Sequence, residues 1–104
     1  MRTLTAKEVK QRIDRVPVFD VRGDDEFNKE HIPGAKTAPL GALETRIHDV
    51  MDDDSELIVH CTNQDCDLSQ KAANRLETLG HTNVYRFEGG LDAWKREGYD
   101  TVTN

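Results

Sequence analysis

Two short runs limit the fold more than anything else in this chain: Val16-Pro17-Val18-Phe19-Asp20-Val21 and Leu57-Ile58-Val59-His60. The first is too apolar on both faces for a strand with one side in water, so it reads as a central parallel strand, with Pro17 tolerated near its start. The second reads as its central companion. Between and around them the apolar period changes from strand to helix. Thr5-Ala6-Lys7-Glu8 is a capping box, followed by Ala6, Val9 and Ile13 as a buried helical face. A short helix is expected through Asp25 and Phe27. A turn at Pro33-Gly34 precedes a brief strand near Lys36 and Thr37. Leu43, Ile47, Val50 and Met51 recur at helical spacing. Ala72, Ala73, Leu76 and Leu79 mark a helix that Gly80 can end in the left-handed conformation, and Val84-Tyr85-Arg86-Phe87 makes another strand. Leu91 to Glu97 forms the closing helix. Strands alternating with helices imply right-handed crossovers: an α/β domain with a mostly parallel sheet of about five strands and helices on both faces.

The length of 104 residues suits a single domain, taken as residues 1–104, with no repeat, linker or low-complexity segment. No apolar run approaches the roughly 20 residues of a membrane helix, and Met1-Arg2-Thr3-Leu4-Thr5 lacks the apolar stretch of a signal peptide, so the expected location is the cytoplasm. A formal charge of -6 argues against nucleic acid, which needs clustered Lys and Arg. Asp52-Asp53-Asp54 reads as an exposed loop. A monomer is expected, since no coiled-coil pattern or large exposed apolar stretch stands out.

Two cysteines, Cys61 and Cys66, are too few for a disulfide framework and stand close together, which points to chemistry rather than stapling. In parallel α/β sheets ligands bind beyond the carboxyl ends of the strands, and Cys61 follows directly on the strand ending at His60. The loop Cys61-Thr62-Asn63-Gln64-Asp65-Cys66-Asp67-Leu68-Ser69 then leads into a helix, where Asp67 with Gln70, or Ser69, is expected to cap. Backbone amides at that junction, with the positive helix end, are expected to favour a thiolate or a bound anion.

Several spaced segments together resemble one family. Phe19-Asp20-Val21-Arg22, Glu26-Phe27 and His31-Ile32-Pro33-Gly34-Ala35 are similar to the first signature of rhodanese-like domains. The strand ending in Cys61 fits the remainder, as do Ser69, Ala72, Ala73 and Leu76, then Gly80, Asn83-Val84-Tyr85, Gly89-Gly90-Leu91, Trp94 and Gly98-Tyr99. The resemblance covers nearly the whole chain. It implies a sulfurtransferase in which Cys61 takes a sulfane sulfur from a small-molecule or protein donor, holds it as a persulfide and passes it to a nucleophilic acceptor, with no cofactor.

The chain departs from the family pattern in the loop itself. Typical members carry an Arg five positions after the cysteine, where Cys66 stands here, and reach the helix serine two residues sooner. The loop carries Asp65 and Asp67 but no Lys or Arg, and both acids should oppose the thiolate and repel an anionic donor such as thiosulfate. Arg22 is the nearest motif-derived positive charge, with an Asp20–Arg22 pair expected to be structural. Cys66 can resolve a persulfide, form a disulfide with Cys61 or relay the sulfur.

No metal site is expected. His60 should face away from Cys61, His31 should fix its turn by hydrogen bonding, and His48 and His81 read as surface residues. Trp94 with Leu91 reads as core, and Gly89 and Gly90 as a tight turn beside the loop. Two alternatives accompany sulfur transfer. One is a redox-sensing or protein-binding module cycling Cys61 and Cys66 between dithiol and disulfide. The other, a phosphatase or arsenate reductase of related fold, is weakened by the lack of a loop Arg.

Overall fold

A computed structural model describes residues 2–103. Strands β1 (Arg2–Leu4), β2 (Val18–Asp20), β4 (Lys36–Thr37), β5 (Leu57–His60) and β6 (Val84–Phe87) form one sheet in the order β1-β6-β5-β2-β4. Every pairing in it is parallel. Helices α1 (Ala6–Arg12), α2 (Asp24–Lys29), α3 (Leu68–Thr78) and α4 (Gly90–Arg96) supply connections, and β3 (Glu30–His31) pairs antiparallel with β7 (Val102–Thr103) as a separate ladder. The expected α/β architecture, a parallel sheet of five strands, is the one found.

The period of two along β5 explains why that run is apolar throughout. Leu57, Val59 and Cys61 enter one core with Phe19, Val21, Leu43, Ile47, Ala72, Ala73 and Leu76. Ile58 enters the other with Val9, Val16, Val18, Phe87, Leu91 and Trp94. Each face thus buries its own set of side chains, at about 1.5–3 kcal/mol for a fully buried large aliphatic one. The capping box is present: Glu8 N–H donates to Thr5 Oγ1 (3.2 Å) and Thr5 N–H to Glu8 Oε1 (2.9 Å). Trp94 is buried and its Nε1–H donates to the Asp100 carbonyl at 2.7 Å.

Residues 40–51 differ from the regular helix expected. Leu40–Ala42 is a 3₁₀ turn and Glu44–His48 a π turn. Leu43 and Ile47 still reach the core, but the wider turn carries Val50 outward to 68% exposure. Three pieces of pairing had no counterpart in the sequence reading: β1, β3 and β7.

Candidate active site

Strand β5 ends at His60, and the chain turns there so that Cys61 lies under the loop leading into α3. Two hydrogen bonds hold this exit against the start of α4: Leu91 N–H to the Cys61 carbonyl (3.0 Å) and Asp92 N–H to the Thr62 carbonyl (2.9 Å). Gly90 makes the approach possible. Its φ of +61° belongs to glycine, and a Cβ there would overlap the Cys61 carbonyl oxygen and stand 2.8 Å from the Thr62 carbonyl carbon. His60, on the opposite face, uses Nδ1 to bond the Cys61 carbonyl at 3.0 Å.

The Cys61 side chain is 1% exposed. Its thiol donates to the Cys66 carbonyl at 3.2 Å and stands 3.5 Å from Ser69 Oγ. Burial pushes the thiol pKa up, the Cys66 side chain pushes it further, and hydrogen bonding from the Ser69 hydroxyl and amide pulls it back. The protonated form is therefore the resting one. The support expected from the start of α3 is present in the Ser69 amide, but burial outweighs it. Burial is the main cause, and two loop amides are engaged elsewhere: Asn63 Oδ1 accepts from the N–H groups of Asp65 (3.0 Å) and Cys66 (3.2 Å), which serve the turn rather than the sulfur.

The capping expectation is also corrected. Asp67 occupies the position before α3 but makes no side-chain cap; its carboxylate pairs instead with Lys71 at 3.2 Å. Ser69 lies inside the first turn, fully buried and turned toward Cys61. Its hydroxyl accepts from Arg86 Nε at 2.9 Å. Arg86 escaped the sequence reading. It stands on β6 in register with Val59, two residues before Cys61, and so shares the thiol's side of the sheet. A lone charged residue inside the apolar run Val84-Tyr85-Arg86-Phe87 was the available signal. Arg86 is 7% exposed, and its Nη1 also reaches Gln70 Oε1 at 3.4 Å.

Arg22 is engaged rather than open. Nε donates to both Asp20 oxygens (3.0 and 3.1 Å), Nη2 donates to Asp20 Oδ2 and the Glu30 carbonyl, each at 2.7 Å, and the buried pair ties the end of β2 to β3. Burial opposes the Arg22 charge, but Asp20 outweighs it, and a thiolate at Cys61 would add to that support. His31 Nδ1 bonds the Phe27 carbonyl at 2.9 Å, which fixes its turn. Gln64 and Asp65 are exposed, Thr62 and Asn63 half-buried, and Leu68 and Cys66 each pack on the core. Outside the loop lies a cleft of about 290 Å³ lined by Asn63, Gln64, Asp65, Gly89, Asp92 and Arg96; Cys61 does not line it.

The fold and this site define a cysteine-centred α/β domain. The chain belongs to the rhodanese-like domain family, whose model matches residues 5–97. It is 33% identical over 94 residues to the uncharacterized protein YqhL of Bacillus subtilis, covering 90% of this chain and 72% of that one. It is 30% identical over 92 residues to thiosulfate sulfurtransferase GlpE of Coxiella burnetii, covering 88% and 82%. The crystal structure of a rhodanese-related protein from Thermoplasma volcanium superposes with a TM-score of 0.84 at 27% identity, covering the whole of both chains. Among the described residues no helix is long and apolar enough to cross a membrane.

Proposed function

We propose that the protein is a sulfurtransferase that carries sulfane sulfur on Cys61. The observation that carries the reading is the Cys61 thiol at the exit of β5, 3.5 Å from a Ser69 hydroxyl that Arg86 holds in place. In the first step the Cys61 thiolate attacks the outer sulfur of a persulfide donor. The new Sγ–S bond forms, the donor's S–S bond breaks, and the donor leaves as a thiolate with the electron pair. In the second step an acceptor nucleophile attacks the outer sulfur, and Cys61 departs as thiolate. The hydroxyl and amide of Ser69, backed by the Arg86 charge, are the groups that favour the thiolate in both steps.

Two features favour a persulfide over thiosulfate as donor. The Cys66 carbonyl occupies hydrogen-bonding space beside the sulfur, and the loop carries Asp65 and Asp67 without a cation. A small thiol persulfide, or one presented by a protein, needs no oxyanion pocket. With Cys61 1% exposed, the segment 62–68 must move to admit any donor.

A second reading rests on Cys66, whose side chain and carbonyl both act on the Cys61 thiol. Attack of Cys66 on the inner sulfur of a Cys61 persulfide would form a Cys61–Cys66 disulfide and release hydrosulfide. Intact mass under non-reducing conditions separates the two, using wild type, Cys61→Ser and Cys66→Ser treated with glutathione persulfide and, separately, with thiosulfate. One added sulfur that is absent in Cys61→Ser and discharged by cyanide supports transfer. A loss of two hydrogens from wild type, replaced by stable sulfur loading in Cys66→Ser, supports resolution. No added sulfur in wild type or Cys66→Ser rejects both.

A further inference from the structure

A second group of reactive side chains lies apart from Cys61, where three remote parts of the sequence meet. His48 ends the π turn, Asp53 lies in the loop before β5, and His81 follows α3. His48 Nδ1 and His81 Nε2 face each other at 3.0 Å, and one nitrogen from each ring and an Asp53 carboxylate oxygen all lie within 4.8 Å of one another. His81 is 2% exposed, not the surface residue its sequence suggested, because the end of the π turn folds over it.

The backbone holds this group in place. Thr82 N–H and Oγ1 donate to the Asp53 carbonyl (2.8 and 3.3 Å), Asn83 Nδ2 to the Asp54 carbonyl (2.6 Å), and His81 N–H to the Leu76 carbonyl (3.0 Å). Asp53 is thereby tied to the turn that carries His81. Its carboxylate stands beside Gly80, where a Cβ would come within 3.3 Å of Oδ2.

We propose that His48, Asp53 and His81 form a binding site for a divalent transition ion of the zinc class. Two imidazole nitrogens at about 2.1 Å from an ion subtend roughly 90° when they are 3.0 Å apart, and opening that angle to tetrahedral needs about 0.4 Å of further separation. The alternative use of the contact is a single ring-to-ring hydrogen bond. That use leaves the Asp53 carboxylate, which lies within 4.8 Å of a nitrogen of each ring, outside the contact. Two imidazoles with one carboxylate suit zinc, cobalt or nickel and disfavour magnesium and calcium, which take oxygen ligands. Three protein ligands leave room for water or for an atom from another molecule. An ion here would clip the π turn, the loop before β5 and the α3–β6 turn together.

The test uses the full chain with Cys61→Ser and Cys66→Ser, so that no thiol competes for the ion. Zinc is titrated by calorimetry, with the histidine ring nitrogens followed by NMR. One equivalent of zinc is expected, with the His48 and His81 rings shifted and His31 and His60 unmoved. Adding His48→Gln should weaken binding at least tenfold. Asp53→Asn, at an exposed position, gives an independent weakening if His48→Gln fails to fold. No movement of the His48 and His81 rings at tenfold excess zinc overturns the proposal, as does affinity unchanged in a folded His48→Gln or Asp53→Asn.

Discussion

Replacing Gly90 by Ala tests whether the exit of β5 is held by close backbone approach. A side chain at φ +61° costs on the order of 1 kcal/mol. The added Cβ also overlaps the carbonyls of Cys61 and Thr62, so one or both of the bonds from Leu91 and Asp92 must break, at about 0.5–1.5 kcal/mol each. The lower entropy of Ala in the unfolded chain returns about 0.5 kcal/mol. The net loss is about 1–3.5 kcal/mol, or on the order of 5–20 °C in Tm for a domain of this size. Two other glycines divide the effect. Gly98→Ala, at φ +82° with nothing within 4 Å, should lose only the conformational part, and Gly23→Ala, with φ −66° and open space, should be near neutral. Urea unfolding of the three variants gives the stabilities, and alkylation of Cys61 reports on the loop, which Gly90→Ala should expose. A Gly90→Ala variant no less stable than Gly98→Ala, with Cys61 as slow to alkylate as in wild type, refutes the reasoning.

The thiol and the buried imidazole each give a further prediction. Because the Cys66 side chain raises the Cys61 pKa, Cys66→Ala should lower it and speed alkylation at pH 8; a rate–pH profile superimposable on wild type would contradict the coupling. Burial holds the His60 pKa below that of the unfolded chain, so His60 lends stability that is complete above about pH 6.5 and is lost as the pH falls. Below that pH the wild type should lose stability faster than His60→Asn, whose amide can take over the bond to the Cys61 carbonyl, by at most about 1.4 kcal/mol per pH unit. Parallel urea-derived stability curves from pH 6.5 to 5 would exclude this, since the carboxylates with lowered pKa values act at lower pH.

What the sequence disclosed depended on how local the cause was. The central strands, the capping box, α3 with its Gly80 terminus and the position of Cys61 follow from short-range pattern. So does the Gly90 approach, since a glycine pair after a strand marks a tight turn. The strand character of Arg2–Leu4 comes from its pairing with β6, over eighty residues away, and carries no signal of its own. The protonated resting state of Cys61 follows from its burial under the loop, which the position of the residue after a strand does not disclose. Ser69, assigned to capping, is turned inward by Arg86, and the burial of His81 depends on an irregular turn more than thirty residues earlier. Those are side-chain contacts between distant segments, and residue type alone does not place them.

The order of the sheet has a bearing on behaviour at high concentration. Its two outer strands are β1, three residues long, and β4, two residues long. So brief an edge offers a neighbouring molecule few unpaired amides and carbonyls, and Arg2 and Lys36, both exposed, put a positive charge on each. Edge-to-edge pairing of this sheet is thus disfavoured on both sides, while the longer strands β5 and β6 are enclosed.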